Sequence, residues 1–297
     1  MNKLPTAKRA QILEMLVEGM SMRAVSRITG ASINTVTKLL VEAGEACAAY
    51  HDETVRDVTA SRVQCDEIWA FCYAKEKNVK TAKAAPEGAG DVWTWTGLDA
   101  DSKMILSYEV GDRSGETAIE FMDDLRARLA NRVQLTTDGH KAYLEAVEGA
   151  FGDDVDFAQL VKLYGDTPEG QRRYSPATCV GTRKRRVTGK PVRADVSTSY
   201  VERQNLTMRM GMRRFTRLTN AFSKKIENHL HMLSLYFVHY NCVRIHKSLR
   251  VTPAMAASVS DTLHDMEWIV GLIDARAPKP NKPGPKPGTG GRPKKSK

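Results

Sequence analysis

No stretch of about 18 consecutive apolar residues occurs in the sequence, so nothing in it reads as a membrane-spanning helix. The opening MNKLPTAKRAQ lacks the apolar core of a secretory signal, and a cytoplasmic location is the expectation. Cysteine is scarce: Cys47, Cys65, Cys72, Cys179 and Cys242 are odd in number, scattered, and never spaced C-x-x-C. That pattern argues against both a disulfide framework and a zinc ribbon and leaves reduced thiols that fill space. Acids are outnumbered, 35 against 45 Lys and Arg, for a formal charge of +10. The excess favours a polyanionic partner, nucleic acid before membrane, because no basic amphipathic anchor is evident. What is present is 41% apolar residues over a 297-residue chain, enough for one large domain and a small one.

The first 46 residues carry three short helical patterns. Ile12, Leu13, Leu16 and Val17 recur at helical spacing and Gly19 ends the element. A second helix can start at the cap Ser21 with Val25 and Ile28 inward, and a third at Ser32 with Ile33, Val36, Leu39 and Leu40 inward. The short TGAS turn between them gives the outline of an all-α helix-turn-helix domain. In that motif the second helix enters the major groove, which makes Ser32, Asn34, Thr35 and Lys38 base readers and Arg23 and Arg27 phosphate contacts. A three-helix bundle with merely solvated basic residues is the plain alternative.

A polar connector, residues 47–61, precedes strand patterns. RVQCDEIWAFCY, DVWTWTGLDA and KMILSYEVG form a meander, with a Lys-, Ala- and Gly-rich loop between the first two. SGETAIEFMDDLRARLAN follows as a helix capped by Ser114, with Ile119, Met122, Leu125 and Leu129 at helical spacing. The strand RVQLTTDGH, the helix KAYLEAVEGAF and the strand DVDFAQLVKL complete an α/β domain with a mixed five-stranded sheet over residues 62–260.

Asp66 and Glu67 sit inside a strand that otherwise reads as buried. Side chains alternate across a strand, so the two acids face opposite sides and only one is expected to serve a given site. If the fourth strand lies beside the first, Asp138 at its end approaches Asp66. Two such carboxylates repel each other unless a cation compensates, and an all-oxygen donor set suits Mg²⁺ or Mn²⁺. A third ligand is offered by Glu202 in the first turn of a helix capped by Ser197 or Ser199, with Arg209 two turns on and placed for a phosphate. Taken alone, Glu202 is also a routine helix N-terminal acid.

CDEIWAF, TTDGHKAY, YVERQNLTMR and the following TRLTNAFSKKIENHLHMLSLYFVHYN together resemble transposases of the insertion sequence 1 family, of the DDE group, from about Arg62 to Asn241. The resemblance implies a ribonuclease H-like catalytic domain with Asp66, Asp138 and Glu202 as the acids that hold two metal ions. It also implies DNA cleavage and strand transfer on double-stranded transposon ends and target DNA, by a homo-oligomer associated with the nucleoid. Two ions about 3.5 to 4 Å apart activate the nucleophile and stabilise the leaving oxygen, so no protein nucleophile is needed. Members of the family often carry a zinc-binding segment ahead of the helix-turn-helix, for which this sequence offers no suitable cysteines; end recognition is expected to rest on the helix-turn-helix and the tail.

Between Asp138 and Glu202 a basic insert near residues 171–196 includes Arg183, Lys184, Arg185 and Arg186 and is placed to run along DNA phosphates, with a solvated loop as the plain alternative. Trp69 reads as a packing residue, Tyr143 and Tyr200 as packing or phosphate contact, and Trp93 and Trp95 as sheet packing rather than base stacking. His229, His231 and His239, on a long amphipathic helix, read as structural or surface groups. A helix over 261–275 and a disordered basic Pro/Gly tail over 276–297 end the chain. Two other functions compete with the transposase: a catalytically silent DNA-binding regulator, and a ribonuclease H-like structure-specific nuclease.

Overall fold

The computed structural model describes residues 3–165, 178–216 and 220–277. The expected Pro/Gly tail from residue 278 on, and residues 171–177 of the basic insert, lie outside the described residues.

Helices α1 (Thr6–Val17), α2 (Met22–Thr29) and α3 (Ile33–Thr54) open the chain. Ser21 and Ser32 are the N-caps of α2 and α3, accepting from Ala24 N and Thr35 N, and Gly30 ends α2 at φ 71°, a left-handed conformation that suits glycine. Ile12, Leu13, Leu16, Val17, Val25, Val36, Leu39 and Leu40 are buried. Ile28 and Ile33, expected inward, are instead 58% and 41% exposed, one on each side of the tight turn between α2 and α3. The helix α3 does not stop at residue 46; it runs through most of the expected connector to Thr54.

Strands β1 (Arg62–Cys72), β2 (Gly90–Asp99) and β3 (Ile105–Gly111) form the meander, and the expected loop between β1 and β2 contains a single helical turn, α4 (Glu76–Val79). Then follow α5 (Gly115–Arg128), β4 (Val133–Asp138), α6 (Ala142–Phe151), β5 (Val155–Tyr164) and β6 (Cys179–Thr188). Ser114 caps α5 as expected, accepting from Thr117 N, but Ile119 is 40% exposed and Ala118 and Phe121 share the buried face with Met122 and Leu125. The described strands make a six-stranded mixed sheet in the order β3-β2-β1-β4-β5-β6, with β1, β4 and β5 parallel and the other pairings antiparallel. The sixth strand corrects the expected five. It comes from the basic insert, paired antiparallel to β5, and its Lys and Arg are the kind of charge that blunts an exposed edge strand.

The chain closes with α7 (Ser199–Gly211), α8 (Ile226–Val238), a π-helical turn His239–Val243, α9 (Pro253–Ala256) and α10 (Met266–Arg276). Each sheet face has its own core. Val63, Cys65, Trp95, Leu135 and Phe157 pack with α5 and α6 residues Phe121, Leu125, Tyr143 and Val147. On the other face Ile68, Ala70 and Leu98 join Val201, Met208, Leu233 and Phe237 of α7 and α8, and the same cluster runs on without a break into Leu13, Val36 and Leu40 of the N-terminal helices. α3 packs on α8, and α1 and α3 both pack on α10. His229 and His239 are buried there, burial lowering their pKa to about 3 and about 4.

Asn241 fixes the start of β3: its Nδ2 donates to Ile105 O at 2.9 Å and its Oδ1 accepts from Ile105 N at 3.0 Å, with the residue 1% exposed. Asn241→Leu would leave both backbone groups without those partners in an apolar surrounding, and is expected to lower unfolding stability by about 2 kcal/mol. Denaturant unfolding monitored by tryptophan fluorescence measures it; an unchanged midpoint would show that the amide pair contributes nothing.

Candidate active site

The cleft lies where β4 ends. β1 and β4 pair from Arg62↔Gln134 to Cys65↔Thr137, so the next residues, Asp66 and Asp138, are neighbours on the face covered by α7. Asp138 closes β4, and the chain turns at Gly139 with His140 N donating to Asp138 Oδ1 at 2.9 Å. Beyond this point β4 gives β1 no further partner, and the next contact on that side among the described residues is the bridge from Cys72 to Ser223. Glu67, although its Cβ points to the opposite face, reaches into the gap, and one ligand atom from each of Asp66, Glu67 and Asp138 lies within 4.8 Å of the other two. Alternation along a strand predicted that the adjacent acids could not share a site; the early end of β4 removes the barrier between the faces.

These groups line a cleft of about 780 Å³ together with Arg113, His140, Lys141, Lys162, Glu202, Asn205 and Arg209. Burial, then the charges of Glu67, Asp138 and Glu202, push the Asp66 carboxyl up to about 8. Glu67 is raised as well, by burial and by Asp138, against the lowering effect of Arg113. Arg113 donates from Nε to Glu67 Oε1 at 2.7 Å, comes within 3.8 Å of Asp138 and lies 4.8 Å from the centre of the Trp93 ring. The other Glu67 oxygen accepts from the buried Tyr143 hydroxyl at 3.1 Å. Asn205, one turn beyond Glu202 on α7, donates to Asp66 Oδ2 at 2.8 Å.

Glu202 shares the cleft and not the tight cluster. The N-cap of α7 is Thr198, neither Ser197 nor Ser199, and its hydroxyl donates to Glu202 Oε1 instead of capping the backbone. Glu202 Oε2 pairs with Lys162 of β5 at 2.6 Å. The donors that converge are carboxylate oxygens with no thiol or imidazole in the cluster, and the raised Asp66 marks a charge deficit. That set fits a hard divalent cation.

The other expected site residues are dispersed. Arg23, Arg27, Ser32, Asn34 and Lys38 are exposed around the α2–α3 turn, Thr35 is half-buried, and Lys38 lies 3.7 Å from Glu42. The basic run on β6 is divided by strand alternation: Lys184 and Arg186 pair with Leu160 and Ala158, and Arg183 and Arg185 with Val161 and Gln159, one pair per face. Lys184 is already bound to the carbonyls of Arg193 and Ala194. Arg209 lines the cleft. Trp95 is buried and Trp69 half-buried, while Tyr200 is 42% exposed with Lys103 Nζ 3.4 Å above its ring. Sequence reasoning missed Glu67 as a member of the cluster, and Arg113, Lys162 and Asn205 altogether. Only Asn205, three residues after Glu202, carried a signal, since that spacing shares a helix face.

No family model matches the chain, and no curated protein matches it. Among solved structures it is similar to a Mos1 transposase paired-end complex with left transposon end, at 14% identity over 50% of this chain and 58% of that one, TM-score 0.20. It is likewise similar to a Mos1 mariner paired-end complex with Mn, at 14% identity, 50% and 59% coverage and TM-score 0.21. The likeness thus spans a little under three fifths of the length of those chains.

Proposed function

We propose that the chain is a DNA transposase of the insertion sequence 1 type, which binds terminal inverted repeats and carries out divalent-metal-dependent cleavage and strand transfer. On this reading the six-stranded domain is ribonuclease H-like and α1 to α3 are its helix-turn-helix. The observation that carries the reading is the meeting of Asp66, Glu67 and Asp138 within 4.8 Å at the end of β4, in a cleft that also holds Glu202 and is rimmed by Lys141, Lys162 and Arg209. A protein that only binds DNA has no use for a cluster of carboxylates, one buried and two half-buried, that repel one another.

Asp66, Asp138 and Glu202 would hold Mg²⁺ or Mn²⁺, with Glu67 beside them. The ions, when bound, would polarise the phosphodiester and lower the pKa of an attacking water or 3′-hydroxyl. The chain's own groups orient the ligands: Asn205 holds one Asp66 oxygen, His140 N one Asp138 oxygen, and Arg113 with Tyr143 fixes Glu67. Exposed Asn34 and Lys38 at the start of α3, with half-buried Thr35, would read bases, while Arg23 and Arg27 hold phosphates.

A strand-transfer assay with duplexes carrying the element's own ends tests the reading. Asp138→Asn and Glu202→Gln are each expected to abolish joining in Mg²⁺ or Mn²⁺ and to leave end binding in chelator intact. Joining at the wild-type rate by either variant would refute it.

A further inference from the structure

The Lys162–Glu202 pair is at odds with a site that works through Glu202. Both Glu202 oxygens are taken, one by Thr198 and one by the Lys162 ammonium at 2.6 Å, and the carboxylate stands apart from the three acids that cluster. Lys162 enters the same cleft from β5, on the α7 face, and lines it with Asp66, Tyr164 and Asn205. Its ammonium is raised in pKa by the Glu202 hydrogen bond and charge, against the effect of burial, so it stays cationic.

Resting on the proposed function, we infer that Lys162 is a ligand for the DNA phosphodiester that Glu202 keeps in reserve. The side chains are 29% and 37% exposed, so water screens the pair and exchange of its partner costs little. A phosphodiester entering the cleft offers the ammonium a second anionic partner, able to accept the same charge-assisted hydrogen bond as the carboxylate. Lys162 moves to the phosphate, and Glu202, left with Thr198, turns toward the cluster. DNA entry and completion of the metal-binding set then become one event, and in the absence of DNA the site binds cations with three acids instead of four.

Two titrations on full-length protein test this. The first is Mn²⁺ alone, followed by the electron paramagnetic resonance of the free ion. Lys162→Met is expected to bind Mn²⁺ roughly three- to fivefold more tightly than wild type, the worth of a half-exposed ion pair. The double variant Lys162→Met/Glu202→Gln is expected to lose that gain, and Lys162→Arg to retain wild-type affinity. The second is a short duplex of arbitrary sequence in chelator, titrated across salt concentrations. Lys162→Met is expected to weaken binding and reduce the slope of log K against log salt by about 0.9, one phosphate contact. Lys162→Gln repeats both measurements should the Met variant be unstable. If wild type joins DNA ends and Lys162→Met and Lys162→Gln both keep its Mn²⁺ affinity and salt slope, the pair is structural and the inference fails while the transposase reading stands. If wild type neither binds duplex DNA nor joins ends with any divalent ion, both fail.

Discussion

Asp66→Asn is expected to abolish strand joining and, in the same protein, to raise its stability in chelator at pH 8. The carboxyl has a folded-state pKa of about 8 against 3.8 for the free side chain, first through burial and then through Glu67, Asp138 and Glu202. A raised pKa means the folded state holds the proton more firmly than the unfolded one. The contribution to stability is therefore complete below about pH 4 and is lost as pH rises from there through about 8. An amide carries no charge to bury, and its oxygen can still accept from Asn205. The variant should gain on the order of 2 kcal/mol over wild type at pH 8, a figure reduced for the water that reaches this half-buried residue, and little at pH 4. Added Mn²⁺ should stabilise wild type and leave the variant almost unmoved. Thermal melts at the two pH values in chelator and in Mn²⁺ measure all of this. An equal difference between the proteins at both pH values would mean that Asp66 is not the strained group.

The second large effect is expected at Gly44, in the middle of α3. A Cβ placed there would stand 2.3 Å from His231 Cβ and 2.4 Å from His231 Cα, so α3 and α8 touch backbone to backbone. Gly44→Ala forces the helices apart along the interface that joins the N-terminal helices to the sheet domain. Even after the gain of about 1 kcal/mol in helix propensity, the net loss should be about 2 to 3 kcal/mol. Gly149, in α6, has nothing within 4 Å of its Cβ position and is the control. Gly149→Ala should stabilise by up to about 1 kcal/mol, again measured by thermal or denaturant unfolding. Destabilisation of the same size at both glycines would remove the close approach as the cause.

Five of the six described strands and the main helices were legible in the sequence because each has one face that must be buried, and burial writes a period of 2 or 3.6 into it. β6 was not, because its Cys179–Thr188 is polar or exposed on both sides and hydrogen-bonds only along one edge. Ile28, Ile33 and Ile119 satisfied a helical period and still face water, since periodicity fixes a stripe and not what covers it. The adjacency of Asp66 and Asp138 was readable from strand order. Glu67 was misjudged because alternation assumes an unbroken sheet, and here β4 stops one residue after the pairing ends. Arg113 and Lys162 reach the cleft from the end of β3 and from β5, and no local pattern announces such meetings, whereas Asn205 could have been found from its helical spacing to Glu202.

The unbroken apolar cluster that links α1 to α3 with β1, α7 and α8 leaves no hinge between the N-terminal helices and the acids. α3 is a rod of 22 residues, about 33 Å long, whose first turn carries Asn34 and Thr35 while its middle presses on α8. On the proposed reading it serves as a ruler: the number of base pairs from the sequence recognised to the bond broken is set by rigid geometry, with no tether to lengthen or shorten.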